Sequence, residues 1–510
     1  MQSPDSATIP AGNRQPLVHS VALVAGVLLA VAVCVLLWLR LLPLGIPGQW
    51  EWPWRVPPQS PGLPAIAGFV LLVAAAVYIV FLINSRSPRS DQYFIAVLLC
   101  CICAGVLLGG LFVSQSIPMI RTATATTSIA ALPYYGEAVQ ARTLPRLFGR
   151  YGHSEGPSTR PDRLRTHPPG PVVYYLYARR VILSRPALLE VGERLFAHEG
   201  VSPETALRFA KQYTIVPLTE EDVIAGTLAS LFISLLGALL PAAVFLLVLA
   251  VWDTRVALAA AVVSASIPSL VLFVPSIDGA GAIMAISALA AFLWSRRQKR
   301  PSLAALSGLL WAAAGFWSVG LLVVAFPAVI AVIRDVVHAD TGRQGLVIAG
   351  TALGVFVLLF VALFVFCGYR PVANLQEIFR SQAFIMSRSA RDRLPWTLMN
   401  MYEFALFFGP ALLTVSVTGL VSALRGPFRP AVRFLGWGLI AAFVLLVISG
   451  TTRGEVGRIW LFLMPMLSAF AAVPVIQMPK RHRWWYLPVL AAAQGLCCLV
   501  MYAFIIPVRA

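Results

Sequence analysis

The 510-residue sequence is 59% hydrophobic and only 12% charged, with a mean hydropathy of +0.82. These values exclude a soluble globular chain. Apolar runs of about 18 residues or more recur from end to end, the pattern of an all-α integral membrane protein. The formal net charge of +18 does not point to nucleic acid. Its basic residues sit in short clusters between apolar runs, where the positive-inside rule accounts for them.

The opening stretch, MQSPDSATIPAGNRQ, lacks the basic start of a cleavable signal peptide. The first apolar run, Leu17 to Leu42, is therefore expected to remain as an anchor. A loop rich in proline and glycine follows, carrying Trp50, Glu51, Trp52 and Trp54, and its tryptophans fit an interfacial belt. Ala65 to Asn84 and Tyr93 to Ser114 are the second and third spans, so residues 1–114 form a tail and three helices. A long polar segment covers residues 115–222. It must lie outside the hydrocarbon, because unpaired backbone polar groups are too costly there. Residues 223–510 return to apolar runs at 223–251, 255–274, 278–295, 303–317, 319–334, 345–367, 401–424, 433–449, 459–477 and 486–506. The expected total is about 13 transmembrane helices. The seven cysteines all fall in or at the ends of apolar runs, so they read as packing residues, with no disulfide framework or zinc site.

Basic clusters set the orientation. Arg86 and Arg89, the run Arg296 to Arg300, the Arg425, Arg429 and Arg433 group, and Lys480 to Arg483 are expected on the cytoplasmic side, with the N-terminus inside. The loops at 43–62, 115–222, 275–280, 368–400 and 451–458 then all face outward.

The outward segment at 115–222 holds the residues with chemical promise. Tyr134 to Leu147 reads as a short interfacial helix carrying Glu137. Thr166-His167-Pro168-Pro169-Gly170 is a rigid turn, since each proline fixes φ and removes a donor. The VVYYLYARR stretch after it suits a helix dipping into the headgroup layer with snorkelling arginines. Leu189 to Phe209 has a more soluble pattern, with Glu190, Glu193 and Arg194 opposite an apolar stripe. The arginines here, Arg163 and Arg165 among them, exceed what loop topology requires and suit an anionic ligand such as a phosphate. They also fit simple solvated loop cations. Asp278, at the lip of a span, fits either a ligand-facing carboxylate or a cap on the following helix. Arg453, Glu455 and Arg458 form a basic-acidic-basic run just before an apolar one. They read either as a local ion pair or as a place where an interfacial phosphate meets Arg458.

At YYGEAVQ followed by RTHPPGPVVYYL, the sequence resembles the multi-spanning glycosyltransferases of the GT-C fold, the protein O-mannosyltransferase-like group in particular. PSIDGAGAIMAISALAAFLWSRR and TRGEVGRIWLFLMP resemble later stretches of the same group. The chain departs from that group in two ways. Gly136-Glu137 stands where the group commonly has paired acids, and two spans separate the first span from the acidic loop.

The resemblance implies transfer of a sugar, hexosyl or pentosyl, from a polyprenyl-phosphate donor to an acceptor hydroxyl at the outer face of a bacterial plasma membrane, with inversion. The acceptor is a glycan, a lipid or a protein. Such chemistry needs a carboxylate to take the hydroxyl proton and cations for the leaving phosphate. Glu137 is the candidate base, with Glu51 as its rival, and His167 either contacts the phosphate, orients the acid or caps its turn. Arg163, Arg165, Asp278, Arg453, Glu455 and Arg458 are the candidate substrate-binding residues. No Asp-x-Asp or His-rich cluster occurs in the outward loops, so a metal-independent reaction with no cofactor is expected. The alternatives are a transporter or flippase of a lipid-linked sugar, or a non-catalytic assembly protein.

Overall fold

The computed structural model describes residues 15–85, 89–151, 160–337, 339–389 and 391–506. The expected cytoplasmic tail, Arg86, and positions 152–159 of the long polar segment lie outside them.

Nine helices among the described residues are long and apolar enough to cross a membrane. Three come early: Gln15–Trp38, Leu63–Asn84 and Ser90–Val113. The next three are Glu220–Val251, Asp278–Gln298 and Val319–Val337, and the last are Gly342–Cys367, Pro430–Ser449 and Lys480–Phe504. This is a helical membrane architecture with one two-stranded hairpin among the described residues, in which Gly45–Ile46 pairs with Trp50–Glu51. The expected total of about 13 spans is not reached by length. Three of the apolar runs form helices of 10–17 residues, Thr254–Ser264, Pro301–Trp317 and Leu461–Gln477. The run at 401–424 is instead two helices, Arg393–Phe408 and Pro410–Arg425, bent by 101°.

That bend has an identifiable cause. Gly409 sits at φ +97°, a conformation that side chains disfavour, and Pro410 cannot supply a backbone donor to the preceding turn. A broken helix inside the body leaves polar backbone groups that must find partners. Gln494 supplies both kinds: its Nε2 donates to the Phe408 carbonyl at 2.9 Å, and its Oε1 accepts from Leu412 N at 3.4 Å. Small residues bring other helices together. A Cβ on Gly110 would fall 2.6 Å from the Ala65 nitrogen, so the Leu63–Asn84 and Ser90–Val113 helices touch backbone to backbone.

The five loop regions expected to face outward meet at one end of this body. Trp396 Nε1 donates to Gln49 Oε1 at 2.7 Å, joining the first loop to the 368–400 region. Arg163 pairs with Glu455 at 3.2 Å, Arg160 with Glu377 at 3.6 Å, and Arg458 with Asp278 at 3.5 Å. The opposite end gathers residues beside the basic clusters. Arg296 Nη2 meets Asp335 Oδ1 at 2.9 Å, Arg483 donates to Asn84 at 3.3 Å, and His19 pairs with Gln477 at 2.7 Å.

The aromatic-basic stretch after the His-Pro-Pro turn differs from its expected interfacial role. Within the Gly170–Leu183 helix, Tyr175 is fully buried and shares a 2.8 Å hydrogen bond with Ser230. Tyr174 donates to the Ala229 carbonyl at 2.7 Å, and Arg179 pairs with Asp222 at 2.7 Å. These groups find their partners on the Glu220–Leu236 helix, so this face packs against protein.

The two ends predict opposite accessibility. In sealed, oriented vesicles, Glu193→Cys should react with a membrane-impermeant maleimide from one side only and Arg300→Cys from the other only. Both positions are exposed. Labelling of both from the same side would overturn this topology.

Candidate active site

Glu137 stands on the Tyr134–Ala141 helix, which starts after Pro133 and ends where Arg142 turns to φ +58°. Only 4% of Glu137 is exposed. Its Oε1 lies 3.3 Å from Arg150 Nη1 and 3.9 Å from Arg160 Nε, so its partners are these two arginines and not Arg142. Arg160 continues the alternation, with Nη1 3.6 Å from Glu377 Oε1 and its guanidinium 4.1 Å above the Tyr151 ring. Oε1 of Glu137 completes no hydrogen bond among the described residues. Glu137, Arg150, Arg160, Gln140 and Gly136 line a cavity of about 110 Å³ together with Thr127, Leu164 and Val216. A buried carboxylate therefore lines a partly open cavity beside two cations.

A second cluster lies along the same segment. Arg163 Nη2 sits 3.2 Å from Glu455 Oε2, Arg458 Nη2 is 2.8 Å from the same oxygen, and Arg458 Nη1 reaches Asp278 Oδ2 at 3.5 Å. Arg163 also donates to the Ala131 carbonyl at 2.5 Å. Burial acts to raise the Glu455 carboxyl, but Arg458, Arg163 and Arg391 hold it below the usual range. Burial likewise opposes the charge on Arg458, yet Asp278 and Glu455 push its pKa up. The chain Arg163–Glu455–Arg458–Asp278 carries two cations and two anions, so its charges are met within itself.

His167 borders this chain. Its Nδ1 is 2.9 Å from the Arg163 carbonyl and 3.2 Å from Thr166 Oγ1, and its ring faces that of Tyr134 at 5.8 Å. A carbonyl only accepts, so the ring must carry its proton on Nδ1. Burial pushes the pKa of His167 down to about 4, with the Arg163 carbonyl bond and Asp278 partly opposing and Arg163 and Arg458 adding to the fall. The ring is thus neutral near pH 7, and Nε2 is left as an acceptor, which suits a hydroxyl better than a phosphate. Tyr134 and Glu137 share one short helix, so that helix touches both clusters.

Asp278 does not cap its helix. It is the first helical residue, the preceding Ile277 makes no side-chain cap bond, and the carboxylate instead accepts from Ser276 Oγ at 2.8 Å and faces Arg458. Arg453 Nη1 donates to the Arg391 carbonyl at 2.5 Å. Arg165 lies 6.0 Å from the Phe384 ring. Each of these two arginines keeps a buried Nε without a hydrogen-bond partner among the described residues. Glu51 is exposed on the hairpin. Trp52 is no belt residue: it is 5% exposed, packs on Phe273 and Phe407, and donates to Glu403 Oε1 at 2.7 Å.

Two residues of the bent helix escape a reading by hydropathy. Asn400 donates to the Thr452 carbonyl at 2.7 Å and accepts from Gly454 N at 3.1 Å. Glu403, 2% exposed, accepts from Gly457 N at 3.1 Å as well as from Trp52. Both pin the loop that carries Arg453, Glu455 and Arg458. Their spacing of three, facing one side of a helix, is the signal that an apolar window averages away. Among the described residues no group of three or more His, Cys, Asp or Glu side chains could hold a metal ion.

No family model matches this chain, and no curated protein matches it. Solved structures of an archaeal oligosaccharyltransferase from Archaeoglobus fulgidus do. One, tethered to an acceptor peptide containing an NVT sequon, is 15% identical with a TM-score of 0.46, over 81% of this chain and 56% of that one. Another, the enzyme AglB with an inhibitory peptide and a dolichol-phosphate, is 14% identical with a TM-score of 0.43, over 82% and 57%. A third, in complex with zinc and sulfate, is 16% identical with a TM-score of 0.38, over 78% and 53%. This chain thus spans somewhat more than half the length of those chains.

The buried His167 gives a pH signature. Its folded-state pKa of about 4 lies below the unfolded value of about 6.5. The unfolded chain therefore binds the proton first, and stability falls as pH is lowered from about 6.5 towards about 4. His167→Gln should remove that part of the slope in a plot of unfolding temperature against pH. An unchanged slope in the variant would show that His167 does not titrate this way.

Proposed function

We propose that this chain is a membrane glycosyltransferase of the GT-C type that moves a sugar from a polyprenyl-phosphate carrier to an acceptor hydroxyl, with inversion. The reading rests on one observation above the others: Glu137, a buried carboxylate whose Oε1 is ion-paired but completes no hydrogen bond among the described residues, lines a partly open cavity beside Arg150 and Arg160. In the proposed step, Glu137 takes the proton of the acceptor hydroxyl as the hydroxyl oxygen attacks the anomeric carbon. The bond from that carbon to the carrier phosphate breaks, and the phosphate leaves with the electron pair. Arginines meet the growing charge.

The two clusters differ in what they offer such a ligand. Arg163 and Arg458 are already matched by Glu455 and Asp278, which suits holding loops in place around the carrier. Arg165 and Arg453 keep unused buried donors, which suits the carrier phosphate. His167, neutral and anchored to Arg163, is assigned to positioning or to a sugar hydroxyl. The proposed location is a bacterial plasma membrane with the loops outside. The acceptor is a glycan, a lipid or a protein, and the sugar a hexose or a pentose.

Glu137→Gln is expected to lower transfer from a radiolabelled polyprenyl-phosphate sugar by about 100-fold or more, with the unfolding temperature near that of wild type. Glu51→Gln should transfer normally. Full activity in Glu137→Gln would remove the carboxylate from the chemistry. Movement of lipid-linked sugar across liposomes without any transfer would favour a flippase instead.

A further inference from the structure

A third group of cations, away from both clusters, has no anion to match it. Arg55 is 6% exposed, and no carboxylate among the described residues pairs with it. Its Nη1 donates to Gln59, its Nη2 reaches the Ile505 carbonyl at 3.4 Å, and its Nε has no hydrogen-bond partner among the described residues. The guanidinium lies over the Tyr502 ring, 4.6 Å from its centroid. It is near enough to that hydroxyl to be favoured by it. The hydroxyl, on a residue 1% exposed, has no hydrogen-bond partner among the described residues besides this guanidinium. Arg121 stands close enough to disfavour the charge on Arg55 further. Its own guanidinium makes no ion pair or hydrogen bond among the described residues. Two neighbouring cations, one of them buried, are unfavourable unless an anion joins them.

The place of the group in the fold says which anion. Arg55 N donates to the Phe504 carbonyl at 2.8 Å and Gln59 N to the Ala503 carbonyl at 3.0 Å, so the loop lies on the end of the Lys480–Phe504 span. The Leu63–Asn84 span begins beside it and the Ser90–Val113 span ends there, with Gly62 N donating to Ser114 Oγ at 2.8 Å. Three span ends set the depth of the headgroup layer. Around the cations, Val56, Leu63, Val113 and Ile117 are largely exposed, an apolar rim of the kind that acyl chains cover and a free ion does not.

We propose that Arg55, Arg121 and Tyr502 bind the phosphate of an anionic phospholipid, whose acyl chains lie along Val56, Leu63, Val113 and Ile117. Arginine suits this task through its fixed fork of donors, and Tyr502 adds one more. A zwitterionic headgroup would bring its own cation towards the two arginines. The site shares no residue with the Glu137 cavity or the Arg163–Asp278 chain, and it stands whether or not the protein transfers sugar.

Native mass spectrometry of the detergent-purified full chain tests this, with phosphatidylglycerol, phosphatidylcholine and inorganic phosphate as probes. Wild type should retain phosphatidylglycerol and gain thermal stability from it. Arg55→Met and Arg121→Gln should each cut retention about tenfold, while Arg300→Gln, an exposed cation at the other end, should keep it. Arg121 is half-buried and supplies the result should Arg55→Met fail to fold. Equal retention of phosphatidylcholine, or undiminished phosphatidylglycerol retention in Arg121→Gln, overturns the proposal. Stabilisation of wild type by inorganic phosphate alone, lost in Arg121→Gln, assigns the site to a soluble anion and overturns the lipid reading.

Discussion

Glu455 is shared between two arginines, and the loop side of the protein is organised by that sharing. Arg163 comes from the long polar segment, Arg458 from the last loop on that side, and Asp278 from the start of a span. No two of these are neighbours in sequence except Glu455 and Arg458. A part-buried ion pair adds little to stability when compared with apolar packing, but losing one member leaves a charge without its partner and is unfavourable. The chain of charges therefore acts less as glue than as a condition: the three loops adopt this arrangement together or not at all.

Glu455 also occupies an unusual backbone position, with φ at +58°. A side chain in the left-handed region costs about 1 kcal/mol or more, so the surroundings must hold it there. They do so on both sides. Asn400 and Glu403 accept from Gly454 N and Gly457 N, and the two arginines fix the carboxylate. Trp52 completes the arrangement by donating to Glu403, which ties the first loop to the last one through the bent helix.

Three groups of arginines thus differ in how their charge is met. Those around Glu455 are balanced by carboxylates and keep little for a ligand. Arg150 and Arg160 bracket Glu137 beside a cavity, so a ligand there would meet a carboxylate and cations at once. Arg55 meets an aromatic ring and neutral oxygens, and among the described residues neither it nor Arg121 pairs with a carboxylate. Counting positive residues does not separate these cases. Counting their partners does.

Hydropathy alone identified a helical membrane protein, the long polar segment and the set of loops that share one face, because burial in lipid is averaged over whole runs of residues. Local motifs and the family resemblance singled out Arg163, His167, Asp278, Glu455 and Arg458 as candidates for one outer-face site, and the fold brings these five together. What the chain order could not supply was pairing. Arg150 and Arg160 as partners of Glu137, Arg458 in place of a capping role for Asp278, and Trp52 turned inward to Glu403 all depend on side chains far apart in sequence. The bend at Gly409, satisfied by Gln494 from a distant helix, and the three short apolar helices likewise follow from packing between helices. A hydropathy window sees composition along one strand of chain, whereas a counter-charge or a backbone partner is decided in three dimensions by whichever distant group arrives within about 3 Å.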